Sequence, residues 1–242
     1  MKRSVLSVFS FSVYLLLGSA GAAVAQTADG VDADPHLVGW WKMDDASGKT
    51  AADASRHGRG GTLQGGLTFE QNSVAGRVGK ALQLDGKEGC VEITGYKGVA
   101  GTQPRTVALW IKSKSTRGEL LAWGADDFGK MFFFQHIRGR VGVTPSGGYL
   151  YINDQTNDDQ WHHVAAVVVE GDPPNLHDHV RLYLDGELAT IHDIGLLDLW
   201  PIETGSEIDV RIGRGFEGAV DEVRIYDRAL SDDEVKNLFR QK

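Results

Sequence analysis

The 242-residue chain has a single cysteine, Cys90, so no disulfide can form within it. Stability must come from burial, with a bound metal as the other available staple. Basic side chains are also scarce: 25 Lys and Arg face 33 Asp and Glu, a formal net charge of −8. That balance argues against nucleic acid as a partner. Beyond the N-terminus no apolar run reaches the roughly 20 residues of a membrane-spanning helix. Internal repeats, coiled-coil heptads and low-complexity linkers are missing, as are a nucleophile elbow, a phosphate loop and a Cys-His nucleophile pattern.

What is present begins with a targeting signal. Lys2 and Arg3 precede an apolar run from Val5 to Leu17, and Ala23-Val24-Ala25 forms a small-residue exit. This order predicts a cleavable signal peptide over residues 1–25, and hence a secreted, periplasmic or extracellular protein. No lipobox cysteine stands near the exit. Residues 26–36 are small and polar and read as a flexible leader, followed by one domain over residues 37–242.

The chain has 31 glycines, and they punctuate short alternating runs: Leu37 to Met43, Ala81 to Leu84, Val91 to Ile93, Thr106 to Lys112, Lys130 to Ile137, Trp161 to Val169, Val180 to Leu184 and Val210 to Ile212. The pattern predicts an all-β, two-sheet antiparallel sandwich. Val180 to Leu188 reads as a hairpin with Asp185-Gly186 in a primed turn. Trp161 to Val169 is apolar on both faces after its start and reads as a central, doubly covered strand. Near the end, Ser231 and Glu234 form a capping box for a short helix, with Leu230 and Val235 as its hydrophobic staple. From Ala219 to Tyr226, strict alternation would place Asp221, Val223 and Ile225 on one face, putting a carboxylate in phase with the core. A buried carboxylate must be ionised against a metal, tied to backbone donors or placed at a wet rim.

Several segments resemble the laminin-G-like or concanavalin A-like jelly-roll domains of secreted bacterial proteins. The densest is Phe216 to Glu234, which matches a pattern like F-x-G-x-I-D-E-V-R-I-Y-x-R-A-L-S-x-x-E. Leu37 to Asp45 with Gly48 and the glycine-rich stretch Asp53 to Leu63 look like the opening strand and loop. Gly79 to Gly86 with Val91 to Ile93, then Thr106 to Ile111, Trp161 to Ala165 and Arg181 to Gly186 look like further strands. The resemblance spans about residues 37–239 and implies a jelly roll with a short C-terminal helix, acting in carbohydrate or protein recognition outside the cell. It also implies a structural calcium ion near the two chain ends, with Asp44 and Asp221 at the matching positions.

Sugar sites combine aromatic platforms with carboxylates, amides or arginines that bond hydroxyls. The least family-like region, Leu120 to Asp159, supplies Trp123, Asp126, Asp127, Phe128 and Tyr149, and Trp200 stands in another loop. These are the candidate ligand-binding residues. Phe132 and Phe134 share a strand face and read as packing, His162 and His163 read as structural, and His177 and His179 lack the further ligands zinc needs. Laminarinase-type hydrolases of this architecture carry Glu-x-Asp-x-x-Glu or Glu-x-Asp-x-Glu. Glu207-Ile-Asp209 matches the first half, but Arg211 replaces the glutamate of the shorter form. The reading is therefore a non-catalytic binding module for polysaccharide or glycoconjugate. The alternatives are a glycan-processing enzyme and an envelope protein-interaction module.

Overall fold

The computed structural model describes residue 30, residues 32–195 and residues 200–241. The expected signal peptide, residues 1–25, lies outside the described residues. In chain order the strands are β1 (Leu37–Trp41), β2 (Thr50–Ala51), β3 (Gly61–Leu63), β4 (Ser73–Ala75), β5 (Lys80–Asp85), β6 (Val91–Ile93), β7 (Arg105–Ser113) and β8 (Arg117–Gly124). They continue with β9 (Met131–Ile137), β10 (Arg140–Thr144), β11 (Tyr149–Ile152), β12 (Trp161–Val168), β13 (Val180–Leu184), β14 (Glu187–Leu188), β15 (Ile191–Gly195), β16 (Ile208–Ile212) and β17 (Glu217–Tyr226). The named helices are α1 (Phe69–Asn72), α2 (Leu176–His179) and α3 (Asp232–Arg240).

Two antiparallel sheets face each other. One has eight strands in the order β14-β13-β12-β7-β17-β5-β4, with β1 also paired to β17; the other has nine, β15-β11-β10-β9-β8-β16-β6-β3-β2. Every second side chain points between the layers, as period-2 geometry requires. Val107, Leu109 and Ile111 of β7 and Val164, Ala166 and Val168 of β12 thus share one core with Phe132 and Phe134 of β9 and Val141 and Val143 of β10. The outer side of the eight-stranded sheet carries a second apolar cluster, where Leu230, Val235 and Leu238 of the C-terminal segment cover Ala108, Ala165, Val167 and Tyr183. Strand β12 is therefore covered on both sides, as its composition predicts. The Ser231–Glu234 capping box is formed. In the hairpin, Leu184 pairs with Glu187 across Asp185 (φ 51°) and Gly186 (φ 81°), the left-handed pair of a primed turn.

Three expectations need correction. Strand β17 is not in uniform alternation. Its register against β7 slips between Asp221 and Arg224, and Glu222 sits at φ 52° in the left-handed region. This bulge reverses the phase, so Val220 and Val223 both enter the core, and Asp221 is not on their face. Glu222 is fixed there because its carboxylate accepts from Trp40 Nε1 (2.8 Å) and pairs with Arg224 (2.7 Å). Next, the leader is held from Asp32 onward rather than flexible to residue 36. Asp34 is buried and paired with Arg228, which also bridges to Glu234, and Asp32 meets Arg224 at 3.3 Å. Last, the candidate ligand-binding residue Trp123 is fully buried on β8, its ring 4.5 Å from that of Phe132. Its indole N–H donates to Val99 O at 3.0 Å. Trp123 is a core residue and no ligand platform.

Trp123→Ala should therefore cost about 3–5 kcal/mol of stability by leaving a cavity. Denaturant unfolding checks this; a cost under about 1 kcal/mol would show that the indole is not packed as described.

Candidate functional site

Three connections converge at one end of the nine-stranded sheet. The turn after β8 closes with Ala125 N–H donating to Lys130 O and Lys130 N–H to Asp127 O. The β10–β11 turn docks on it through Gly129 N–H to Ser146 O, and the segment after Trp200 through Glu203 N–H to Gly129 O. These bonds bring Phe128 and Trp200 face to face, ring centroids 5.0 Å apart and planes 14° apart. Both rings remain exposed, Phe128 by 56% and Trp200 by 38%. Gly147 makes the stack possible: a Cβ there would lie 2.6 Å from Trp200 and 2.8 Å from Phe128. Two residues on, Tyr149 is 38% exposed and stacks on Tyr151 with centroids 5.5 Å apart. Asp126 and Asp127 are exposed on the same turn as Phe128, and Asp127 accepts from Phe128 N–H at 2.8 Å.

The structure thus assembles Asp126, Asp127, Phe128, Tyr149 and Trp200 on neighbouring connections and removes Trp123 from the set. An exposed aromatic pair flanked by carboxylates offers a flat apolar face beside hydrogen-bond acceptors. His192, which sequence reasoning did not single out, lies beside this group, its ring 5.4 Å from Tyr151. A lone exposed histidine on an edge strand gives no signal in the sequence until strand pairing places it.

A second site lies at the β17 bulge. Asp221 is fully buried, and its Oδ2 accepts from Arg77 N–H (2.8 Å) and Val78 N–H (2.9 Å). Its Oδ1 is buried with no hydrogen-bond partner. Asp44 is exposed and holds the same loop, its Oδ1 accepting from Lys80 N–H at 2.7 Å. Gly79 is required for that approach, since a Cβ there would stand 2.4 Å from the Asp44 oxygen. Burial pushes the Asp221 carboxyl up to about 7, and the nearby Glu222 and Asp44 add to the rise against the two amide bonds. An orphaned buried oxygen with a second carboxylate beside it fits a hard cation, which takes oxygen ligands. Among the described residues no group of three or more His, Cys, Asp or Glu could hold a metal. An ion here would need oxygen ligands beyond these two carboxylates.

The outer side of the nine-stranded sheet holds a charged cleft of about 570 Å³ lined by Glu88, Glu92, Lys97, Asp209, Arg211 and Arg214, among others. Around it, Glu119 grips Arg211 through two bonds of 2.6 and 2.9 Å, Asp209 pairs with Lys97 at 2.8 Å and Glu88 with Arg214 at 2.7 Å. In the Glu207-x-Asp209 motif, Asp209 is ion-paired and Arg211 stands where the shorter hydrolase pattern has its second glutamate. His136, His162 and His163 are structural. Burial holds His136 down at about 4 and His163 at about 3, so both are neutral, and His162 is clamped between Asp158 and Asp185. Cys90 is buried and its thiol is pushed up by desolvation, consistent with an inert apolar role.

This geometry stands within a known architecture. The Laminin_G_3 family model, described as concanavalin A-like lectin/glucanases superfamily, matches residues 85–236, more than half of the chain. The chain belongs to this superfamily. Among solved structures it is similar to domain 4 of AbnA, a GH43 extracellular arabinanase from Geobacillus stearothermophilus, in complex with arabinotriose. That match has a TM-score of 0.60 at 21% identity, covering 84% of this chain and 98% of the other. It is also similar to the binding domain of Paraclostridial Mosquitocidal Protein 1 (TM-score 0.54, 16% identity, 84% of this chain, 52% of the other) and to Trypanosoma rangeli sialidase (TM-score 0.53, 15% identity, 84% and 32%). At these identities the similarity shows the fold alone. No curated protein matches. The fold is shared by binding domains and enzymes.

Without a cation, Asp221 holds its proton more tightly folded than unfolded, between about pH 4 and about 7. Stability should therefore fall as pH rises through that window and level off above it. Asp221→Asn should flatten this part of a melting-temperature profile recorded in EDTA; an unchanged slope would assign it to another group.

Proposed function

We propose that this protein is an exported, non-catalytic carbohydrate-binding protein whose ligand, a polysaccharide or glycoconjugate, stacks on the Phe128–Trp200 platform. The observation that carries the reading is the parallel, solvent-exposed pair held rigidly by three docked connections and rimmed by Asp126 and Asp127. A sugar ring presents an apolar face to stack on an aromatic ring and hydroxyls to donate to carboxylates, and this surface offers both partners. Tyr149 extends the platform with a phenol. The carbohydrate link also draws support from the arabinotriose held by the similar arabinanase domain. Export rests on the signal-like N-terminus, Lys2 to Ala25. The non-catalytic part of the reading rests on Arg211, bound to Glu119, standing where the shorter hydrolase pattern has its second glutamate, and on the pairing of Asp209 with Lys97.

Calcium completes this reading as a structural ion. Asp221 Oδ1, Asp44 and carbonyls of residues 76–80 would hold it, and the ion would supply the charge that lets Asp221 ionise while buried. Its role is to lock the 76–80 loop onto β17, with no part in sugar contact. Among the described residues no helix is long and apolar enough to cross a membrane.

The test is a glycan and polysaccharide array, followed by calorimetry on the best ligand with Trp200→Ala and Phe128→Ala. Each substitution should remove about 2 kcal/mol or more of binding energy, as loss of a central aromatic anchor does. Trapping of a cell-envelope protein with silence on every glycan would instead favour the interaction-module reading. For the ion, calcium should raise the melting temperature of the wild type but not of Asp221→Asn; a variant that still gains would place the ion elsewhere.

A further inference from the structure

The platform does not end at Trp200. On the same side of the nine-stranded sheet, Tyr149 and Tyr151 stack along β11, and Tyr151 in turn meets His192 of β15 with ring centroids 5.4 Å apart. Tyr151 is buried between its neighbours, while Tyr149 and His192 remain exposed. Pairing of β11 with β15 sets this order. Tyr149 lies opposite Gly195, and a Cβ at Gly195 would fall 2.4 Å from the Tyr149 ring, so only a glycine lets that ring lie against the edge strand. At the other end the strip adjoins the platform at Gly147, where a Cβ would fall 2.6 Å from Trp200 and 2.8 Å from Phe128. Consecutive Cα atoms are about 3.8 Å apart, so Tyr149 begins within two residue steps of the stack. The polar groups beside the strip are held as well: His192 Nδ1 bonds Asn153 Oδ1 at 3.2 Å, and Arg140 Nε donates to Asn153 O at 2.9 Å. At the platform end, Asp126 and Asp127 are exposed acids, which repel an acidic polymer.

From this arrangement, and resting on the carbohydrate reading above, we infer that the ligand is the interior of a linear, neutral polysaccharide, laid along the strip from Phe128–Trp200 across Tyr149 to His192. A site for a terminal sugar would close around one ring. Here the exposed aromatic surfaces are spread over two connections and the neighbouring strands β11 and β15, so an added sugar unit finds a further contact. His192 is the distal contact, Tyr149 the middle one, and Phe128 with Trp200 the proximal one.

Calorimetry with neutral oligosaccharides of one, three and six units, prepared from arabinan, xylan and mixed-linkage β-glucan, separates the possibilities. The expected result is at least a tenfold gain in affinity from three units to six for the series that binds. His192→Ala should reduce that gain several-fold, Tyr149→Ala should weaken the binding of three units and of six, and Trp200→Ala should weaken every length. His192→Gln serves as a second distal variant should the alanine form fold poorly. Equal affinity for one, three and six units, or a length gain that survives the distal variants, would overturn the linear-chain inference while leaving the carbohydrate reading intact. Silence toward every neutral oligosaccharide and polymer from the folded protein would overturn both. Preference for polygalacturonate over the neutral polymers would overturn the neutral-chain assignment alone.

Discussion

The arrangement of this molecule depends on one irregularity, the bulge at Asp221–Glu222 in the strand that runs through the middle of the eight-stranded sheet. Before it, β17 pairs with β5; after it, β1 takes that side, and β7 runs along the other side throughout. The extra residue keeps the core continuous by admitting both Val220 and Val223, and it turns Asp221 toward the 76–80 loop. A left-handed non-glycine residue costs on the order of 1–2 kcal/mol. Here the bidding of Trp40 and Arg224 for the Glu222 carboxylate offsets that cost. The first strand, the last strand and the β4–β5 loop are thereby fixed to one point, and that point carries an orphaned carboxylate oxygen.

Position relative to this frame distinguishes the two candidate sites. The carboxylate site lies at the bulge, where backbone and buried charge converge, and suits an ion that stabilises. The aromatic surface lies on connections of the opposite sheet, where side chains are held at their bases and exposed at their faces. Such a division, with a rigid sandwich beneath and recognition on loops, follows from where backbone polar groups can be satisfied: strands in the layers, connections at the surface.

The sequence was most legible where periodicity and turn chemistry act alone. The Val180–Leu188 hairpin, the doubly apolar Trp161 strand and the Ser231 capping box follow from local rules, and each is found in place. The bulge was illegible because Ala219 to Tyr226 alternates well enough to read as an even strand; only pairing against β7 shows the extra residue. Trp123 was misread for a related reason. A tryptophan followed by glycine does not show by itself whether the strand ends there; β8 continues through Gly124 and buries the indole. Phe128, Tyr149 and Trp200 were legible as exposed aromatics, but their juxtaposition rests on hydrogen bonds between connections far apart in sequence. His192 needed the β11–β15 pairing before it could be placed at all.

The account stands or falls on which indole meets the ligand, and the chain offers an internal comparison in its six tryptophans. An amide and indole NMR titration of the folded protein with the oligosaccharide that binds best would read each of them at once. The account predicts that the Trp200 indole signal moves, together with the backbone amides of Phe128 and Tyr149, while the fully buried indoles of Trp41 and Trp123 stay in place. Shifts centred instead on Arg211, Glu92 and the charged cleft, with Trp200 unmoved, would contradict it.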